Sequence, residues 1–239
     1  MTADPIIRVP SSLHPKLWGE EQWLSDCRDP KCAIPGFDLL IKRIVANQRL
    51  SVQVHPNEET ARIVGGDMKT EMWCVLKPGP LFIGFKPGIS AADVERSVKD
   101  GSVGDLLVRF EAKAGECYFI PGGLVHAIGE GTSVFEVQQP SDTTFRFYDW
   151  GRVGEDGRPR PLHIKEALLA MNLSLGQVRP TKSVRCKYFS FAQCDRGTIA
   201  AEGVYRAVYV PETEDFFFLR PGASIAVRHP ALTTAAEAR

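Results

Sequence analysis

What most constrains this chain is how soon each apolar run is interrupted. LFIGF (81–85) lies between Pro80 and Pro87, and LSVQVH (50–55) stops at Pro56. The segments GDLLVRFEAKAGECYFIPGG and GTSVFEVQQPSDTTFRFYDWG break at glycines and prolines into four or so short strands. Strands this short and this close leave no room for the long crossovers that a parallel sheet needs. The punctuation therefore predicts a mainly β chain, an antiparallel sandwich or barrel. Helical patterns are few: 57–64, a stretch opened by Ser90 with Asp93 three residues on, and HIKEALLAM at 163–171. Residues 1–35 are proline-rich, with Trp18 and Trp23 in PKLWGEEQWL, and read as an arm that packs on the surface or rims a pocket. PGFDLLIKRIV (35–45) reads as a buried strand carrying one charge, Lys42. After Pro180 a second set of short strands follows (YFSFAQC, GVYRAVYV, DFFFL, SIAV). The expected division is a main domain with its arm over 1–179 and a shortened β-rich part over 180–239. That part packs on the first and ends in a frayed Ala-rich tail beyond Pro230.

At 239 residues the chain suits one large or two small domains. Lys plus Arg and Asp plus Glu number 29 each, which gives no support to nucleic acid or a membrane surface as a partner. No apolar run approaches the roughly 20 residues of a spanning helix, and MTADPIIRVPSSLHPKLW has no secretory apolar segment, so the cytoplasm is the expected location. Six cysteines without a CxxC pair read as free thiols rather than a disulfide framework. Nothing in the sequence fixes an oligomeric state.

Chemistry is concentrated in LSVQVHPNEETARIVGGDMKTEMW, 50–73. Alternation puts Val52 and Val54 on one side of a strand and Ser51, Gln53 and His55 on the other; Lys69, Glu71 and Trp73 alternate again beyond a short helix. An amide, an imidazole and a carboxylate on two neighbouring strands are the beginning of a metal site. A second stretch, GECYFIPGGLVHAIGE (115–130), spaces Gly115, Pro121, Gly123 and His126 as a tight turn followed by a histidine on the returning strand. On its own this reads as a hairpin with an ordinary core histidine. Its spacing resembles the second half of the cupin metal signature, G-x5-P-x-G-x2-H-x3-N, with Glu130 at the last position.

LSVQVHP, KTEMW, PGGLVHAIG, EVQQPSDTTFRFYDWGR and RPLHI together resemble the signature stretches of the type I mannose-6-phosphate isomerases, from about Trp18 to Met171. The resemblance implies a cupin fold, a double-stranded β-helix or jelly-roll barrel, with a second cupin cut short after Pro180. It implies one Zn²⁺ per chain held by Gln53, His55, Glu71 and His126, a donor set that suits zinc and leaves room for water or substrate. Lys42, Ser51 and Lys69 would hold the phosphate of the sugar phosphate, and Trp18 would stand at the pocket mouth. Arg146 corresponds to the active-site arginine of the family and Glu136 to a carboxylate that moves protons. His163, in RPLHI, reads better as a helix-start or packing residue. The implied activity interconverts mannose 6-phosphate and fructose 6-phosphate through an enediolate. Two alternatives stay open: a sugar-phosphate-binding cupin without catalysis, and an iron-dependent cupin dioxygenase, against which Gln53 in place of a second clustered histidine argues.

Overall fold

The computed structural model describes residues 4–154 and 156–237. Two of its sheets face each other, a third, six-stranded sheet joins Ile6–Ile7 to strands of the C-terminal part, and all pairings between named strands are antiparallel. One sheet has the order Ser12–Lys16, Gly19–Asp26, Leu40–Ala46, Ser133–Gln138, Glu71–Lys77, Cys117–Ile120. The other runs Phe145–Tyr148, Val52–Val54, His126–Ile128, Gly79–Phe85, Leu107–Ala112. Ile44, Trp73, Val75 and Val134 from the first meet Leu81, Ile83 and Ile128 from the second, filling one end of a barrel.

Each sheet has a second covered face, set by the period of two along its strands. Val52, Val54, Phe82, Phe145 and Phe147 point away from the barrel and pack under the helices Ala91–Asp100 and Ile164–Ala170. Ile41, Met72, Phe135 and Val137 point outward from the other sheet against Phe189, Phe191, Tyr209 and Phe218 of the C-terminal part. Phe135 stacks on Tyr209 at 4.8 Å between ring centroids, and Phe37 meets Phe218 edge-on at 4.9 Å. A sheet covered on both faces carries apolar side chains on both parities, except where one parity opens onto a polar cavity.

Several expectations differ from the structure. Of the two readings of the N-terminal stretch, the structure has the pocket rim and not the surface arm: His14, Lys16, Trp18, Glu21 and Trp23 line the cavity between the sheets. Ser12–Lys16 and Gly19–Asp26 extend the first sheet, and Ile6–Ile7 pairs with Asp215–Leu219 at the edge of the C-terminal sheet. GEEQWLSD hides its strand character because the residues of one face serve a polar cavity rather than an apolar core. The end beyond Pro230 is not frayed: Ala231–Ala236 lies between Arg206–Val210 and Phe189–Cys194, hydrogen-bonded to both. Small side chains fit that central slot, and five of its six residues are buried. Cys74 and Cys117, cross-strand neighbours, form a disulfide, so these two thiols are not free. The strand expected to begin at Pro35 starts at Leu40, after a turn.

Candidate metal centre and its cavity

Strand register gathers the site. Gln53 is the cross-strand partner of both His126 and Arg146, so three elements distant in sequence bring an amide, an imidazole and a guanidinium into one row. The facing sheet supplies a second row, in which Trp23, Lys42, Glu136 and Trp73 are successive cross-strand partners. Glu71 lies two residues before Trp73 on the same face. A cavity of about 560 Å³ separates the rows, lined by Lys42, Ser51, Gln53, Lys69, Glu71, Glu136 and Arg146 among others. Trp18 also lines it, but as a buried member of the barrel core rather than an exposed lip.

The turn that delivers His126 is fitted to the strand that carries His55. Gly123 N–H donates to the His55 carbonyl at 2.7 Å and adopts φ +92°. A Cβ on Gly122 would stand 2.7 Å from the Pro56 carbonyl oxygen and 2.8 Å from Asn57 Cα. Both contacts are with backbone, so only glycine lets the two segments approach this closely.

Both histidine rings are oriented by carbonyls, which can only accept. His55 Nδ1–H donates to Thr143 O and His126 Nδ1–H to Leu124 O, each at 2.8 Å. Burial holds both rings neutral: it pushes His55 down to about 3, with the Lys69 charge adding to the effect, and it lowers His126 as well. A neutral ring protonated at Nδ1 has a bare lone pair at Nε2. The two Nε2 atoms lie 3.2 Å apart, with Glu71 Oε1 3.2 Å from His55 Nε2 and Oε2 3.7 Å from His126 Nε2. Burial alone would raise the Glu71 carboxyl. The Lys69 ammonium at 2.9 Å overcomes this and holds it well below the usual carboxylate range. Three electron-pair donors therefore converge without a proton between them, and Glu71 Oε2 has no hydrogen-bond partner. That arrangement is repulsive unless a cation occupies its centre, so these residues fit a zinc ion. Gln53 Nε2 lies 3.4 Å from His126 Nε2, and turning the amide by half a circle would offer its oxygen to the same ion.

On the opposite row, Glu136 accepts from Trp73 Nε1–H at 2.8 Å and lies 3.5 Å from Lys42 Nζ. Burial, then the Glu71 charge, pushes its carboxyl up to about 7, against the pull of Lys42 and Lys69. Glu21 completes the group, 3.4 Å from Lys42 and bonded to Trp23 Nε1–H at 2.7 Å. Ser51 Oγ accepts from Arg146 Nε–H at 3.2 Å. His163 lies outside this cavity, at the start of the helix Ile164–Ala170 and edge-on to Phe145. Sequence reasoning missed Glu21 and Arg160, and had Trp23 only as part of a stretch that packs on the surface or rims a pocket. The available signal was the shared parity of Glu21 and Trp23, which becomes readable once GEEQWLSD is taken as a strand.

A barrel with an inward His–Glu–His cluster at one end defines a cupin. The closer relationship comes from comparison with known proteins. No family model matches the chain. It is 34% identical over 171 residues to the mannose-6-phosphate isomerase ManA of Bacillus subtilis, covering 64% of this chain and 54% of that protein. It is 39% identical over 135 residues to the mannose-6-phosphate isomerase of Streptococcus mutans, covering 55% and 43%. Its fold matches the crystal structure of the Bacillus subtilis enzyme at a TM-score of 0.68, with 21% identity over 98% of this chain and 97% of that one. It also matches a mannose 6-phosphate isomerase bound with zinc and yttrium, at a TM-score of 0.65 and 13% identity, over 98% of this chain and 100% of that one. The chain is thus similar in sequence to curated mannose-6-phosphate isomerases and shares the cupin fold of solved ones, and it spans about half the length of the curated relatives it matches.

Proposed function

We propose that this protein is a zinc-dependent aldose–ketose isomerase that interconverts mannose 6-phosphate and fructose 6-phosphate. The observation that carries the reading is the convergence of two bare imidazole nitrogens and a carboxylate across a cavity from a buried carboxyl that titrates near neutrality. Gln53, His55, Glu71 and His126 would hold the ion, which when bound supplies Lewis acidity to the sugar oxygens. In the open-chain aldose, Glu136 as carboxylate takes the C2 proton. The electron pair left at C2 forms the C1–C2 double bond, and charge passes to the C1 oxygen. Glu136 returns the proton to C1, and the C2 hydroxyl proton passes to the C1 oxygen as the C2–O bond becomes the ketone. A base with a pKa near the operating pH suits both transfers. Lys42, between Glu136 and Glu21, holds the carboxylate in place. Arg146 has Nη2 free of partners among the described residues and steadies the oxyanion.

The test is a coupled assay for fructose 6-phosphate formed from mannose 6-phosphate, before and after treatment with a chelator. Turnover is expected, with loss on chelation and recovery with one zinc per chain. A zinc-loaded protein that binds the sugar phosphates and turns neither over would be a binding cupin instead.

A further inference from the structure

The two oxygens of Glu136 stand in different surroundings. The residue is 3% exposed, lines the cavity, and is the cross-strand partner of Trp73, which pairs on its other side with Tyr118. Oε2 accepts from the indole Nε1–H of Trp73 at 2.8 Å. Oε1 has no hydrogen-bond partner and lies 3.5 Å from Lys42 Nζ, at ion-pair distance. That ammonium is shared with Glu21 at 3.4 Å, which Lys16 also approaches at 3.8 Å. Among the described residues, the indole is therefore the one hydrogen-bond donor to this carboxylate.

The donor cannot easily turn. Trp73 is 1% exposed, packs among Ile44, Val75, Ile83 and Val134, and stands edge-on to the His126 ring at 5.2 Å and 86°. A buried indole needs a partner for its N–H, but a backbone carbonyl is enough, as Leu50 O is for Trp150. A buried carboxyl in that place carries a desolvation cost that packing alone does not explain. What it gains is direction: one oxygen is fixed and the other is left bare beside the cavity. The same ring touches a histidine of the donor cluster, so it also sets the spacing between that cluster and the carboxylate.

We infer that Trp73 is the positioning residue of the proton transfer: its N–H binds Oε2 of Glu136 and leaves Oε1 as the oxygen that takes and returns the proton. This rests on the isomerase reading. The test compares wild type with Trp73→Phe, both zinc-loaded, on mannose 6-phosphate and its C2-deuterated form. Each protein is assayed on its alkaline plateau, where Glu136 is a carboxylate in both. Phenylalanine keeps an aromatic edge against His126 and removes the N–H. The expected result is a kcat roughly 10- to 100-fold lower, the range for losing a hydrogen bond to a charged group and for a displaced reacting atom. KM and zinc content should stay near wild type, and the deuterium isotope effect on kcat should be no smaller than that of wild type. If the phenylalanine protein does not fold, the benzothiophene analogue of tryptophan at position 73, which keeps the bicyclic shape and lacks the N–H, decides the matter. Unchanged kcat in a folded, zinc-loaded variant overturns the assignment, as does a fall in kcat with loss of zinc or with a vanishing isotope effect. Wild-type protein without turnover sinks the isomerase reading and this role with it, whereas an unaffected variant beside an active wild type sinks this role alone.

Discussion

Replacing Lys42 with methionine separates its two possible roles. The ammonium lies 3.5 Å from Glu136 and 3.4 Å from Glu21, and all three side chains are buried. At 3.5 Å and an effective dielectric of 20, one such pair is worth roughly 5 kcal/mol, more than three pH units at 1.36 kcal/mol each. That figure is an upper bound, because one ammonium is shared between two carboxylates and Lys69 remains nearby. An opposite charge at this range moves a carboxyl by about 1–3 units, and roughly one to two are expected here. The sign follows from the form that is lost. Without Lys42 the carboxylate of Glu136 is less favoured, so its pKa climbs from about 7. Activity that needs the carboxylate then appears only at higher pH. In the coupled assay, the acid limb of kcat/KM should move to the alkaline side by that amount. A bound metal ion would lower the limb in both proteins, so the displacement between them is the readout rather than its position. If Lys42 held the phosphate instead, KM would rise at every pH and the limb would stay in place. A fixed limb with a raised KM refutes this account of Lys42.

Two further perturbations test other parts of the site. Glu136→Gln should leave folding stability near that of wild type at pH 4, where both side chains are neutral, and raise it by up to about 3 kcal/mol at pH 8. The wild-type carboxyl has its folded value raised from 4.5 to about 7, so its contribution is complete below 4.5 and lost as pH rises through 7; urea unfolding at the two pH values measures the difference, and equal effects at both would contradict the raised value. Gly122→Ala should weaken zinc retention while the barrel still folds, because the new Cβ forces the Pro121–Gly123 turn away from Pro56 and carries His126 off the cluster; metal content after dialysis checks this, with full zinc retention as the contrary result.

What the sequence revealed of this site follows from which constraints are local. Alternation within 50–73 is a property of a few consecutive residues, and it was enough to put Gln53, His55, Glu71 and Lys69 on inward parities, where the structure has them lining or closing one cavity. The family resemblance supplied His126, Glu136 and Arg146, which no local pattern could have joined to that stretch: His126 and Arg146 arrive through the pairing of Gln53 with strands more than 70 residues away, and Glu136 through the pairing of its strand with those of Lys42 and Trp73. The readings that failed share one cause: they treated composition as if it reported environment. An Ala-rich end reads as a tail only until a central strand needs small side chains, and a strand with one polar face reads as an arm only until that face opens on a cavity. The lysines show what a sequence hides. Lys42 and Lys69 are the cations that resemblance would choose, and in sequence nothing marks them as already paired. Lys69 pairs with Glu71, two residues on, but the partners of Lys42, Glu21 and Glu136, come from other strands, so that pairing is visible only in the folded chain. Arg160 stands among prolines and exposed charges in GRPRPLH, with no periodicity to mark it, and its partner Asp149 precedes it by eleven residues in a stretch without regular structure. Whether a buried charge is free to meet a substrate is set by the other charges folded around it.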